Sequence, residues 1–313
     1  MPKFLPAATR TLAVLAVGLL TLAACSVPDA DRSPEGEVAR DGRPLVATTF
    51  TVLQDMTQRI AGDRVVVESI TRPGADIHQY EPTTGDLKRV AGADLLISNG
   101  LGVDDWLTRF LSSSEADHVV ASDGVDPVPI RSGDYVGQPN PHAWMSPVEG
   151  RTYIHNIAAA LSEVDPEGAG EFEARAAEYA TELTGLQNRA ADVVESLPDE
   201  HRTLVTCEGA FSYLARDLGL DELFLWAVNT EAQGTPQQVT ELIDSVRERG
   251  VPAVFCESTV SPSAMEQVAS TTGASLAGTL YVDSLSDADG EVPTYASLLE
   301  HDLDLITEGL TTS

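Results

Sequence analysis

The sequence predicts an α/β protein of two lobes, each with a parallel sheet flanked by helices, the two joined by one long rigid helix. Three observations lead there. Short apolar runs alternate with amphipathic stretches at helical spacing, the pattern of a parallel sheet covered on both faces. The alternation runs through the first half of the chain and starts again in the second. Between the halves one apolar stripe continues from Phe172 to Leu197. The length of 313 residues fits two domains of about 100–200 residues each.

The chain opens with an export segment. Leu12 to Ala24 is an uncharged run of 13 residues, LAVLAVGLLTLAA, preceded by Lys3 and Arg10. A bilayer-spanning helix needs about 20 apolar residues, so residues 1–24 read as a signal peptide that ends in small side chains. The tetrad Leu22-Ala23-Ala24-Cys25 resembles the lipobox of bacterial lipoproteins, which implies that Cys25 becomes the lipidated first residue of the mature chain. Residues 25–43 are rich in Pro, Asp, Glu, Arg and Gly and hold almost no large apolar side chain. They cannot bury enough surface to offset their ordering entropy and read as a flexible tether.

The folded body then divides into an N-terminal lobe over residues 44–165, a linking helix over 166–198 and a C-terminal lobe over 199–313. In the first lobe, strands are expected at Leu45–Thr49, Arg64–Ile70, Asp94–Ser98 and His118–Ala121. Helices are expected through Leu53, Met56 and Ile60, at Thr84–Val90 and at Asp104–Leu111. In the second lobe, Thr203–Thr206, Leu223–Ala227, Ala253–Cys256 and Ser275–Tyr281 read as strands. Phe211–Leu218, Pro236–Arg249 and Ser261–Thr271 read as helices. The linking stripe is Phe172, Ala176, Tyr179, Leu183, Leu186, Ala190, Val193 and Leu197, at alternating spacings of 4 and 3. Pro166 suits the first turn and Pro198 stops the helix. At 1.5 Å per residue it would be about 48 Å long, enough to run along both lobes.

Composition narrows the function. Lys and Arg number 19 against 49 Asp and Glu, a formal net charge of −30. Such a chain repels nucleic-acid phosphate, and no nucleic-acid partner is expected. Three cysteines are too few for a disulfide-built scaffold. No HExxH, GxSxG or phosphate-binding loop occurs.

In open α/β sheets, ligands sit beyond the carboxyl ends of the strands, and four strand-end loops carry possible metal ligands. They are Pro73-Gly74-Ala75-Asp76-Ile77-His78-Gln79-Tyr80-Glu81-Pro82, Asn140-Pro141-His142-Ala143-Trp144-Met145-Ser146-Pro147, Cys207-Glu208-Gly209-Ala210-Phe211 and Tyr281-Val282-Asp283-Ser284. One ligand from each, His78, His142, Glu208 and Asp283, gives two imidazoles and two carboxylates. Mn²⁺, Fe²⁺ and Zn²⁺ all accept that set. Prolines in both His loops stiffen them before an ion arrives. His118, His155, His201 and His301 lack comparable loops.

These loops resemble those of the cluster A-I, or cluster IX, substrate-binding lipoproteins of metal-importing ABC transporters. The matching pieces are GADIHQYEPT, NPHAWMSP, TCEGAFSYLARDLGL, NTEAQGTP, ESTVSP and LYVDSLS, in family order over most of the mature chain. The resemblance implies one divalent ion held between two lobes by His78, His142, Glu208 and Asp283. It also implies delivery outside the cytoplasm to an ABC permease with its ATPase subunit, by a protein anchored in the membrane through lipid and expected to be a monomer. Manganese and iron members carry Glu at the third ligand position. Zinc members usually carry His there and a His-rich loop in the first lobe. Glu208, and only His118 and His142 between Ser98 and Ser146, point to Mn²⁺ first, with Fe²⁺ or Zn²⁺ as alternatives. Cys207 stands where many members have Ser, and its thiol is a candidate ligand for a softer ion.

Two other functions have sequence requirements that can be compared with this chain. A metal-dependent hydrolase needs an open coordination position and a base, which four protein ligands leave little room for, so no enzyme is expected. A surface adhesin, a role often ascribed to this family, would need a stalk, a repeat or an exposed aromatic patch, and the sequence offers none. Once Cys25 is lipidated, Cys207 and Cys256 remain. A strand order of 2-1-3-4 in the second lobe makes their strands neighbours, and each Cys precedes a Glu, Glu208 or Glu257. The two are either a disulfide or a pair of buried free thiols.

Overall fold

A computed structural model describes residues 40–107, 115–229 and 234–311. The signal peptide, Cys25 and most of the tether lie outside the described residues.

The first sheet is β1 (Leu45–Thr48), β2 (Val66–Ser69), β3 (Leu95–Ser98) and β4 (Asp117–Val120). All pairs are parallel and the spatial order is β2-β1-β3-β4. Val46, Leu95 and Ile97 point into one apolar cluster, and Leu45, Ala47 and Leu96 into another. This alternation is what a sheet buried on both faces requires. Its helices are α1 (Thr51–Ala61) and α2 (Thr84–Arg89), the latter started by a capping box between Thr83 and Asp86.

Two long helices follow. α3 (Pro147–Val164) was not anticipated, although Ser146 accepts the Val148 N–H at its start and Pro147 occupies its first turn. α4 (Ala169–Ser196) has 28 residues, about 42 Å. It is preceded by a 3₁₀ turn over Pro166–Gly168, so the long helix starts three residues later than expected. Its buried stripe is Phe172, Ala176, Tyr179, Leu183, Leu186, Ala190 and Val194. Val194 replaces the predicted Val193, because a 3.6-residue turn brings the fourth residue after Ala190 back to the buried face.

The second half contains β5 (Thr203–Glu208), β6 (Asp221–Trp226), β7 (Ala253–Glu257) and β8 (Ser275–Leu280). Its helices are α5 (Ser212–Leu218), α6 (Pro236–Arg249), α7 (Ser263–Thr272) and α8 (Tyr295–Thr311). β5 pairs with β6 and β7 with β8, each in parallel, and β5 packs beside β7. α8 is the second helix the sequence reading missed.

One apolar cluster joins Val46 and Leu53 of the first lobe, Phe172 to Val194 of α4, and Leu204, Phe255 and Leu298 of the second. The long helix is therefore fixed to both sheets by burial, the dominant favourable term in folding. The predicted helix over Asp104–Leu111 is, in its described part, only a 3₁₀ turn at Asp105–Leu107. Asp104 is drawn inward instead, where its carboxylate accepts the Asn99 and Gly100 N–H groups and the Thr49 hydroxyl. The expected tether also ends earlier than Arg43, because Arg40 donates to the Ala91 and Gly92 carbonyls and pairs with Asp94.

Candidate metal centre

The four candidate ligands meet at one point. His78 follows β2, His142 follows β4, Glu208 ends β5 and Asp283 follows β8. The nearest donor atoms all lie within 4.8 Å of one another. The two imidazole Nε2 atoms are 3.0 Å apart. His78 Nε2 is 3.3 Å from Glu208 Oε1 and 3.6 Å from Asp283 Oδ1. His142 Nε2 is 3.6 Å and 4.0 Å from the same two oxygens. His142, Glu208 and Asp283 are fully buried.

The surroundings aim these atoms. Asp76 Oδ1 accepts the His78 backbone N–H at 2.9 Å. Asn140 Oδ1 receives both the His142 backbone N–H, at 3.0 Å, and its ring Nδ1, at 2.9 Å. Asn229 serves both carboxylates. Its backbone N–H donates to Glu208 Oε1 at 2.9 Å, and its side-chain amide faces Asp283 Oδ2 at 3.4 Å. Trp226 holds Asn229 in turn through its indole N–H, at 2.9 Å. Glu208 Oε2 and Asp283 Oδ1 are left buried without a hydrogen-bond partner among the described residues. Such orphaned acceptors are costly unless something positive meets them.

The electrostatics agree. Burial, with the neighbouring His78 second, holds His142 well below the ordinary imidazole value, so its ring stays neutral. Burial, then Asp283 and Glu257, pushes Glu208 well above the usual carboxylate range. Two carboxylates this close, out of water, repel, which adds to the rise at Glu208. A divalent cation relieves both the repulsion and the orphaned oxygens.

Residues 46–309 match the family model of ZnuA, the periplasmic component A of a zinc-uptake complex. The chain belongs to the ZnuA family of metal-binding ABC-transporter substrate-binding proteins. Among curated members of this family, it is 48% identical over 265 residues to the iron-binding protein YfeA of Yersinia pestis, covering 84% of this chain and 85% of that one. It is 34% identical to the manganese-binding lipoprotein MntA of Halalkalibacterium halodurans, over 95% and 97% of the two chains. A Mn-bound periplasmic metal-binding protein of Candidatus Liberibacter asiaticus superposes with a TM-score of 0.80 at 35% identity, over 86% of this chain and all of that one. The zinc-binding protein TroA of Treponema pallidum gives 0.79 at 27% identity, over 87% of this chain and all of that one. The ZnuA family thus shares this two-lobed fold and includes proteins named for iron, manganese and zinc.

Sequence reading did not foresee Asn140, Asn229 or Glu257 in this ZnuA-family site. Asn140 lies two residues before His142 in NPHAWMSP, where an amide beside a candidate ligand is the available signal, whereas Asn229, in NTEAQGTP, is 21 residues from Glu208 and has no such neighbour in sequence. Cys207 requires a correction. Its sulfur is bonded to Cys256, with the Cα atoms 4.9 Å apart, so no thiol joins the ligand set. Alternation along β5 sends Cys207 into an apolar cluster with Val205 and Cys256, while Glu208 faces the donors.

Proposed function

We propose that His78, His142, Glu208 and Asp283 bind one divalent transition-metal ion as cargo, and that the loaded protein delivers it to an ABC permease and its ATPase subunit for import. The observation that carries the reading is the convergence of four donors from four strand ends, two of them bearing buried oxygens without partners. Four protein ligands that enclose the ion suit capture more than hydrolysis, which needs an open position. Mn²⁺ or Fe²⁺ is the expected cargo, supported by Glu208 at the third position. The relatives named for manganese and iron are consistent with it. Zn²⁺ competes, since the Irving–Williams order places it above both.

Cys25 is proposed to carry the lipid that holds this protein on the outer face of the cytoplasmic membrane. No helix among the described residues is long and apolar enough to cross a membrane. Replacing Cys25 with Ala should release the protein or leave it unprocessed. A substituted protein that stayed membrane-bound at mature size would count against the anchor.

Elemental analysis of protein purified without chelators, followed by competition among Mn²⁺, Fe²⁺ and Zn²⁺, tests the cargo. Loss of cellular metal uptake on deletion, with surface attachment retained, separates the importer from an adhesin. Hydrolysis that survives excess free Mn²⁺ would support an enzyme instead.

A further inference from the structure

Beyond Asn140, the hydrogen bonds that hold His142 continue away from the ligands. The Asn140 amide nitrogen donates to the Gly209 carbonyl at 2.6 Å and to the Ser212 hydroxyl at 3.2 Å. Ser212 Oγ donates to Glu222 Oε2 at 2.5 Å, and the other carboxylate oxygen, Oε1, accepts the Phe211 N–H at 3.2 Å. Asn140 and His142 belong to the first lobe, whereas Gly209, Ser212 and Glu222 belong to the second. The chain therefore crosses the cleft.

Every donor in it points one way. A carbonyl oxygen can only accept, so the Asn140 atom facing Gly209 is the amide nitrogen. Its oxygen must then face His142, where the backbone N–H already donates. The ring atom meeting that same oxygen must carry a hydrogen, which leaves Nε2 with the free lone pair. The sequence is His142 Nδ1–H to Asn140, Asn140 N–H to Ser212, Ser212 O–H to Glu222. It ends on a carboxylate beside a cleft of about 220 Å³ lined by Arg131, Ser132, Asn140, Ser212, Glu222 and Phe224.

We propose that Glu222 is a positioning residue for the metal site: through Ser212 and Asn140 it holds the His142 ring with Nδ1 protonated and polarises it so that Nε2 is a better donor to the ion. The inference rests on His142 being a ligand. Ligating imidazoles characteristically give their other N–H to an acceptor that raises their basicity, and hydrogen bonds in series strengthen one another. Glu222 ends such a series without touching any ligand. Burial, against the Ser212 and Phe211 hydrogen bonds and Arg131, brings its carboxyl up to about 7. Arg131 is the one charged side chain among the described residues that acts on it, favouring the ionised form. The acceptor at the end of the chain thus gains or loses its charge close to neutrality.

The test uses the metal-free and Mn²⁺-loaded protein, with Glu222→Gln, Ser212→Ala and Ser212→Thr. In the metal-free wild type, the His142 Nδ1–H proton resonance should shift between pH 6 and 8. The shift should vanish in Glu222→Gln and Ser212→Ala and return in Ser212→Thr. Mn²⁺ affinity at pH 8 should fall about tenfold in Glu222→Gln and Ser212→Ala, and the gap from wild type should close towards pH 6. Two results overturn the proposal: a resonance that does not move in the wild type, or a pH profile that survives Ser212→Ala while Glu222→Gln abolishes it. The second result would mean that Glu222 acts by its field and not through the chain. A wild type that binds no divalent ion would sink the ligand reading instead, and the metal-free resonance would still decide the chain.

Discussion

The Ser284 hydroxyl accepts the backbone N–H of Gly74 at 2.7 Å. It thereby fastens the loop that carries Asp283 to the loop that carries His78. Thr51, at the start of α1, joins the same knot. Its hydroxyl lies 3.3 Å from Ser284 Oγ and accepts the Leu285 N–H at 3.0 Å. A second tie runs from the Gln79 amide to the Asn229 carbonyl at 2.8 Å. These bonds cross between the lobes beside the donors, so they must break before the site can open.

Ser284→Ala removes the first tie without touching a donor atom. A net hydrogen bond is worth about 0.5–1.5 kcal/mol, so metal release should quicken roughly two- to tenfold with little change in thermal stability. Stopped-flow chase of the loaded protein into excess chelator reads this directly. An unchanged release rate would show that the bond is remade by water or does not oppose opening.

Replacing His142 with Ala should weaken Mn²⁺ binding by more than about 100-fold, the upper end of what loss of a ligand's outer partner costs. The wild type should also lose affinity as pH falls from 7.5 to 5. Glu208 must be ionised to ligate, and burial holds its proton on, so protons compete with the ion there, whereas the buried His142 ring is already neutral. Isothermal titration at several pH values checks both statements, and an affinity that did not change with pH would exclude Glu208 as a ligand that must lose its proton.

The fold was legible where burial is two-sided. Leu45–Thr48 and Leu95–Ser98 are continuous apolar runs because both faces of the sheet are covered. The α4 stripe was legible because its buried face, Phe172 to Val194, repeats at helical spacing over about six turns. α8 carries the same signal in Leu298, Leu299, Leu303 and Ile306, all four buried, at helical spacing. The described part of the expected Asp104–Leu111 helix, up to Leu107, departs from the expectation for a physical reason. A run with helical spacing also accommodates a carboxylate turned inward to bind backbone N–H groups, and local pattern does not register that choice. In the site, the loops announced their donors through residue type. The holders, Asn140, Asn229 and Ser284, are short polar residues that look like turn formers. Their partners lie between 54 and 210 residues away in several cases, as from Asn229 to Asp283 and from Gly74 to Ser284.

The Cys207–Cys256 bond closes a loop with a sequence separation of 49 residues. In the chain-entropy model a loop of that length is worth about 4 kcal/mol, through constraint of the unfolded chain. The double replacement with Ser should lower the unfolding free energy by an amount of that order and leave Mn²⁺ affinity close to wild type, because the sulfurs lie on the face of β5 away from Glu208. Intact mass after alkylation, with and without reductant, establishes the bond. Denaturant titration then measures its contribution, and two alkylated cysteines in the unreduced, denatured protein would rule it out.

Glu257 sets the last expectation, the pH dependence of the metal-free protein. Its carboxylate is buried at the end of β7 and accepts the Glu208 N–H at 3.2 Å and 3.3 Å through its two oxygens. Burial brings it up to about 8, against the lowering effect of backbone N–H groups at Glu257, Glu208 and Cys207. In the unfolded chain it ionises near the ordinary value of 4.5. A raised folded value means that its contribution is whole below about 4.5 and is lost as pH climbs towards 8. Glu208, raised for the same reasons, adds to the same slope. His142 acts with the opposite sign. Its folded value lies below the ordinary 6.5, so the unfolded chain alone takes up a proton as pH falls, and stability drops below that point. Above 6.5 the carboxyl groups are left to dominate, and the melting temperature of the metal-free protein should fall between pH 6.5 and 8. Glu257→Gln keeps an acceptor for the Glu208 N–H and removes the ionisation, so its decline over that interval should be shallower than that of wild type. Calorimetry of both proteins without metal decides it: equal slopes would mean that Glu257 does not carry the buried proton.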